Sequence, residues 1–250
     1  MYTGPNIIQD EIALMLDPGN SKSYPGSGTT IVDLSGNERN STLQEGAYID
    51  SNRHIVFEGT GERDSAPIGE HITLNTAATT TSPSLKPNGV TYNVWMVFDG
   101  NQPRGHGIFI GRTTRNHMEW RGSVGSGYWR TEARQQNGYS FGASGEDSYG
   151  HHKIGKWFNL TLVFDNVTAT RPVKWYHNGS LFHTNDMTSG NNPSTEYFVP
   201  STFGRSTGTN RYKYVQSLLG RMGFLVVYDK ALTEAEIKQN YNATKSRFNI

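Results

Sequence analysis

Two segments of the sequence alternate with a period of two, and this pattern most constrains the fold. Every second residue of 91–98 and of 157–164 is apolar, and these residues are Tyr92, Val94, Met96, Phe98, Phe158, Leu160, Leu162 and Phe164. Asn159 and Thr161 lie between them on the other face of the second segment. Successive side chains of a β-strand point to opposite faces, so the alternation predicts two strands that are each buried on one side.

Other short apolar runs bounded by turn residues predict further strands. These runs are Ile12–Asp17, Ile31–Leu34, His54–Phe57, His71–Leu74, His117–Arg121, Tyr128–Ala133 and Leu218–Tyr228, the last with a kink at Gly220 or Gly223. Asn178-Gly179 separates residues 173–177 from 180–182. Both residues tolerate the positive φ of a type I′ turn, so this dipeptide predicts a β-hairpin.

One α-helix is predicted at about residues 233–243. Thr233 and Glu236 stand at the N-cap and N3 positions of a capping box. Leu232 and Ile237 occupy the positions of a hydrophobic staple around it. The sequence therefore predicts an all-β sandwich of two antiparallel sheets with a short C-terminal α-helix.

Composition excludes several classes of protein. The 250 residues carry 23 basic and 22 acidic side chains, a net charge of +1, which gives no electrostatic case for nucleic acid. The 28 glycines disfavour a helical protein, and the absence of cysteine excludes disulfides and zinc–thiolate sites. The longest apolar runs are far too short to insert into a membrane, and no signal peptide is evident.

We expect one domain over residues 1–250. Residues 1–9 would form an N-terminal arm that docks on a neighbour or packs on its own sandwich.

Several spans resemble a phage and bacterial group of laminin-G-like, concanavalin A-like domains. These are Gly4–Ile8, Leu16–Thr30 (LDPGNSKSYPGSGTT), Asp33–Leu43 (DLSGNERNSTL), Gly155–Asp165 (GKWFNLTLVFD), Lys174–Leu181 (KWYHNGSL) and Gly220–Phe248. The sequence departs from the family pattern at Ile31, where tryptophan is usual, and at residues 38–41, where Gly-Asn-Asn-Gly is usual.

The resemblance implies a concanavalin A-like jelly roll. It also implies a bacteriophage virion structural protein, such as a capsid decoration, fibre or tail-accessory component, that attaches to other virion proteins and forms a homo-oligomer. Such a protein would be assembled in the host cytoplasm, released by lysis and found in the virion. The alternative is a carbohydrate-binding lectin module that recognises a host-surface glycan without a structural role.

Catalysis is disfavoured because the same fold hydrolyses glycans only with closely spaced carboxylates. The nearest candidate, Glu62-Arg63-Asp64, lacks the third carboxylate of an E-x-D-x-x-E pattern. Glu234 and Glu236 are explained by the helix cap. We therefore predict no catalytic residues and no enzyme.

No metal site or cofactor is predicted. His151 and His152 are adjacent and would point to opposite faces of a strand, so they do not readily share an ion. Asp33, Asp99 and Asp165 stand at strand ends, where turn formation is favoured over calcium ligation.

The best ligand candidates lie in a segment rich in glycine, arginine and aromatic residues. They are Trp120, Tyr128, Trp129, Arg130 and Tyr139. Aromatic faces stack on sugars and arginine hydrogen-bonds to sugar hydroxyls. The same residue types are enriched in protein interfaces and cores, and this second interpretation is favoured.

Overall fold

The computed structural model describes the backbone of residues 6–59, 69–74, 89–101, 106–111, 116–121, 128–134, 140–146, 153–165, 172–186, 200–205 and 218–250. Side chains are described over the same ranges except in 106–111, 116–121, 128–134, 140–146, 185–186 and 200–201.

Within these described ranges, the first sheet has eight antiparallel strands. They are β1 (Ile12–Leu16), β4 (Tyr48–Ile49), β5 (Ile55–Glu58), β7 (Val90–Phe98), β12 (Phe158–Phe164), β13 (Pro172–His177), β14 (Ser180–Asp186) and β16 (Leu219–Tyr228). Their order is β14-β13-β12-β7-β16-β5-β4. Strand β16 pairs along its length with β7, while β5 and β1 share its other side.

The second sheet also has eight strands. They are β2 (Thr30–Ile31), β3 (Ser41–Gln44), β6 (His71–Thr73), β8 (His106–Gly111), β9 (Asn116–Arg121), β10 (Tyr128–Arg134), β11 (Ser140–Glu146) and β15 (Pro200–Phe203). Their order is β11-β10-β9-β8-β15-β6-β3-β2. The prediction of a two-sheet antiparallel sandwich is confirmed.

The main core lies between the two sheets. All eight alternating apolar residues of β7 and β12 belong to it, so the predicted inner faces are confirmed. The second sheet contributes Ile31, Leu43, Ile72 and Phe203 to the same core.

The prediction that β7 and β12 are buried on one side only is wrong. Asn159 and Thr161 are fully buried, and every residue of β12 is buried. The reason is the helix α1 (Glu234–Thr244) and the following 3-10 helix Lys245–Phe248, which cover the part of the first sheet's outer face that includes β7 and β12.

The helix begins as the sequence predicts. The Thr233 side chain accepts a hydrogen bond from the backbone N–H of Glu236, and the Glu236 carboxylate accepts one from the N–H of Thr233. Leu232 and Ile237 are both buried in the cluster under the helix. Buried Ile237 and Tyr241, one turn apart, fix the face that packs on the sheet.

Two backbone features were also predicted. Asn178 and Gly179 both have positive φ, 51° and 73°, as a type I′ turn between β13 and β14 requires. Strand β16 shifts register between Met222 and Phe224, which places a β-bulge at Gly223.

The strand predicted at Ile31–Leu34 is wrong beyond Ile31, because Asp33 folds the next residues into a loop. Strands β3, β4, β8, β11 and β15 were not predicted; they are short or lack alternating apolar residues.

The structure describes residues 6–9 of the predicted N-terminal arm. Of these, residues 6–8 pack on the chain's own helix. There Asn240 accepts a hydrogen bond from the N–H of Ile8, at 2.8 Å.

Candidate functional site

The predicted ligand residues lie on strands β9 and β10, near one edge of the second sheet. The register places Trp129 opposite Trp120, and Arg130 opposite Glu119. Tyr128, at the start of β10, is opposite Arg121. The structure thus brings four of the five residues onto two adjacent strands. Their side chains, and Tyr139 altogether, lie outside the part of the chain that the structure describes.

A second region emerges from the outer face of the first sheet, which divides into two halves. The covered half consists of Trp95, Phe224 and Tyr228 beneath Tyr241 and Phe248. The Trp95 ring stacks on Phe248 with centroids 4.4 Å apart and on Tyr241 at 5.7 Å.

Polar groups in the covered half are satisfied by one another. Trp95 Nε1 donates to Thr244 Oγ1 at 2.7 Å. The amides of Asn93 and Asn159 hydrogen-bond to each other in both directions, at 3.2 and 3.1 Å, and Asn93 also donates to Thr161. Burying these polar groups without hydrogen-bond partners would cost free energy. The hydrogen bonds among them therefore allow polar residues to lie beneath the helix.

The open half consists of Tyr48, Val56, Glu58 and Arg221, which the helix does not cover. Their neighbours along the strands, including Ile55, Phe57 and Met222, point into the main core, so these four residues face outward. The register aligns Tyr48, Val56 and Arg221 in one row across β4, β5 and β16.

An arginine–carboxylate pair ends this row. Arg221 Nε and Nη2 donate to the two carboxylate oxygens of Asp99 at 2.8 and 2.7 Å. This hydrogen bond raises the pKa of Arg221 above its usual range. Both side chains remain about 30% exposed, so the pair is fixed in geometry yet reachable from solvent.

At the other end of the row, the aromatic ring of Tyr48 is exposed. The side chain is 44% exposed, and its hydroxyl donates to Glu58 Oε1 at 3.3 Å. Glu58 is itself exposed.

Trp157 marks the boundary between the two halves. Its ring lies 4.6 Å from the His54 ring and 4.9 Å from Phe248, and the Arg221 guanidinium lies 5.8 Å from its centroid. Burial among these groups lowers the pKa of His54, and nearby Asp50 offsets this only in part. A Cβ on Gly223 would collide with Phe248, so the glycine bulge leaves the room these rings need.

Asp33 is a turn former, as favoured from the sequence. Its carboxylate accepts hydrogen bonds from the backbone N–H groups of Met15, Ser35 and Arg39, at 2.9 to 3.1 Å. The hydroxyl of Ser35 donates to it as well.

The other two aspartates pair with basic side chains, Asp99 with Arg221 and Asp165 with Lys174 at 3.8 Å. Within the described ranges, no group of three His, Asp or Glu side chains could hold a metal ion. The sequence candidates Glu62, Asp64, His151 and His152 lie outside those ranges.

Sequence reasoning did not identify the open half. Tyr48, Val56 and Arg221 come from three distant segments and meet only through strand pairing. The local sequence signal at Tyr48 is weak, because β4 has only two residues.

The family model described as the concanavalin A-like lectin/glucanases superfamily matches residues 71–238, more than half of the chain. The chain belongs to this family. The jelly-roll fold and the resemblance to laminin-G-like, concanavalin A-like domains are both confirmed, and the phage context stays a prediction. A search of curated proteins finds no significant match.

Solved structures with the same fold include receptor-binding domains of botulinum neurotoxins. The domain of the C/D mosaic serotype has a TM-score of 0.61 and 16% identity, covering 94% of this chain and 51% of that one. The binding domain of neurotoxin DC in complex with SialylT has a TM-score of 0.60 and 12% identity, covering 94% of this chain and 52% of that one. The same domain in complex with rat synaptotagmin II has a TM-score of 0.62 and 13% identity, with the same two coverages.

This chain spans about half the length of those structures, and the likeness concerns the fold alone. No helix in the described part of the chain is long and apolar enough to cross a membrane.

Proposed function

We propose that this protein is a non-catalytic attachment domain that recognises a cell-surface glycan. The observation that carries the proposal is the direct pairing of Trp120 with Trp129 on adjacent strands. Two tryptophans opposite each other in the register supply the aromatic surface on which sugars stack.

The comparisons support a binding role. The family description names lectins as well as glucanases, and one structural neighbour was solved in complex with SialylT. Another was solved with the protein synaptotagmin II, so domains of this fold also hold protein partners.

A binding role without catalysis agrees with how three of the described carboxylates are used. Asp17 pairs with Arg247 and Asp99 with Arg221, each through two hydrogen bonds. Glu236 caps the helix. A glycosidase needs two carboxylates that are free to reach the scissile bond.

We further propose that the domain acts in a bacteriophage virion, as a homo-oligomer attached to other virion proteins. The support is the sequence resemblance to laminin-G-like domains of phage structural proteins. Symmetric copies raise avidity for a surface glycan without tighter single sites. No cofactor is required for this role, with loop-bound calcium as the alternative.

The test compares wild type with Trp129→Ala on a glycan array and by size-exclusion chromatography with light scattering. We expect loss of binding to at least one arrayed glycan, with normal assembly, if Trp129 contacts sugar. If it instead lies in a subunit interface, assembly should weaken by about 2 kcal/mol or more.

Leu181→Ala is the control, because Leu181 is an exposed apolar residue on the hairpin of the first sheet. A wild-type protein that binds no glycan would contradict the attachment role. A chain that stays monomeric at high concentration and never co-purifies with particles would contradict the virion role.

A further inference from the structure

We propose that the open half of the first sheet is a binding site for neutral, hydroxyl-rich glycans, separate from the β9–β10 strands. In this site Tyr48 is the stacking surface, and Glu58 together with the Arg221–Asp99 pair binds sugar hydroxyls. The inference rests on the proposed glycan-binding function and gives it a second location and a ligand class.

Tyr48 has the properties of a sugar-stacking residue. Its ring is exposed, while the hydrogen bond from its hydroxyl to Glu58 fixes one end of the side chain. Ile49, the next residue, packs against the main core and anchors the strand. A pyranose ring can therefore lie on the tyrosine without first ordering it, which reduces the entropic cost of binding.

The polar groups suit hydroxyls, which both donate and accept hydrogen bonds. Glu58 and Asp99 offer carboxylate acceptors, and Arg221 offers guanidinium donors held in place by Asp99. The row from Tyr48 to Arg221 crosses two strand spacings, about 10 Å. This length accommodates one or two sugar units.

Charge argues for a neutral ligand. Among the residues that the structure describes, three carboxylates, those of Asp50, Glu58 and Asp99, lie on or beside the row, against one guanidinium, that of Arg221. The surplus of negative charge would repel a sialic acid or uronic acid but not a neutral hexose.

Neighbouring side chains and strand pairing hold this surface in place. Trp157 packs beside Arg221, and is itself fixed by His54 and Phe248. The residues of the row sit on paired strands rather than loops. Sites on such elements keep their geometry when the ligand is absent.

A sugar fits this surface better than a protein does. Among the described residues, the exposed large hydrophobic side chains are Tyr48, Ile154, Leu181 and Ile250, and only Tyr48 belongs to the row. A stable protein interface buries about 800 Å² on each partner around several apolar anchors. One exposed ring among polar groups matches a sugar site instead.

The experiment titrates wild type, Tyr48→Ala, Tyr48→Phe, Trp129→Ala and Leu181→Ala with neutral cello-, malto- and galacto-oligosaccharides, and with sialyllactose as the acidic probe. We expect Tyr48→Ala to weaken binding of at least one neutral oligosaccharide tenfold or more. Tyr48→Phe keeps the ring and should lose only about two- to fivefold, because a single solvent-exposed hydrogen bond contributes modestly. Leu181→Ala should bind like wild type, and thermal unfolding should show that every variant is folded.

Each other outcome overturns a defined part of the account. If Tyr48→Ala binds normally while Trp129→Ala does not, the open half is not a site and the proposed function stands. If wild type binds sialyllactose alone, the inference of a neutral ligand is wrong. If Tyr48→Ala changes the oligomeric state instead, the surface is a protein interface. If no glycan binds any form, the proposed function fails together with this inference.

Discussion

The covered and open halves of the first sheet share strand β16 but treat polar residues in opposite ways. Beneath the helix, Asn93, Asn159 and Thr161 are buried and bond to one another. Beyond it, the polar residues Arg221 and Glu58 reach solvent. The helix therefore determines which half of the face is core and which half is available for binding.

Strand β16 passes from one half to the other within four residues. Arg221 faces solvent, and Phe224 lies under the 3-10 helix, with the bulge at Gly223 between them. The bulge adds one residue to the strand and so shifts the alternation by one position. As a result, Met222 and Phe224 point to opposite faces of the sheet. The covered half should then control stability, and the open half should control binding.

The largest effect should come from Trp95 at the centre of the covered half. Trp95→Ala removes two stacked aromatic contacts and leaves the Thr244 hydroxyl without its donor. We expect a loss of about 3–5 kcal/mol in the free energy of unfolding, measured by urea denaturation. Tyr48→Ala should change it by no more than about 0.5 kcal/mol, because the residue is exposed. Equal losses in the two variants would remove the distinction between the halves.

A smaller effect should follow from Asn159→Ala. The change takes away a buried partner of Asn93 and leaves that amide partly unsatisfied. The expected destabilisation is about 1–3 kcal/mol. Thr161→Val, which keeps the side-chain shape and removes only the hydroxyl, is the matched variant for the same denaturation assay. A neutral result for Asn159→Ala would show that the network does not stabilise the covered half.

The smallest effect concerns pH and His54 at the boundary. Burial lowers the pKa of His54, as it does for His71 and His183. The unfolded chain, with ordinary histidine pKa values near 6.5, then takes up protons at a higher pH than the folded chain. Stability should therefore fall as pH drops from about 7.5 to 5.5, and His54→Gln should reduce that fall. The melting temperatures of wild type and His54→Gln at these two pH values measure this fall in stability. An identical fall in the two proteins would show that His54 does not cause it.

Sequence reasoning succeeded where the signal is local. The capping box at Thr233, the turn at Asn178-Gly179 and the alternation in residues 91–98 each lie within a few consecutive positions. It failed for Asn159, because the helix that buries this residue comes from a distant part of the chain.

The candidate sites show the same limit. The strands that carry Trp120 and Trp129 were predicted within one residue of their observed ends, but their direct pairing was not. Glycine, serine and arginine in that segment give no apolar pattern from which to derive a register. The open half depends entirely on pairing between β4, β5 and β16, so no contiguous motif could have revealed it.

The most direct test of the open half as a binding surface is amide hydrogen exchange with and without a bound neutral oligosaccharide. The account predicts slower exchange at residues 48–58 and around Arg221, with the helix 234–244 unchanged. Slower exchange confined to residues 116–134, with none at Tyr48 or Arg221, would contradict it.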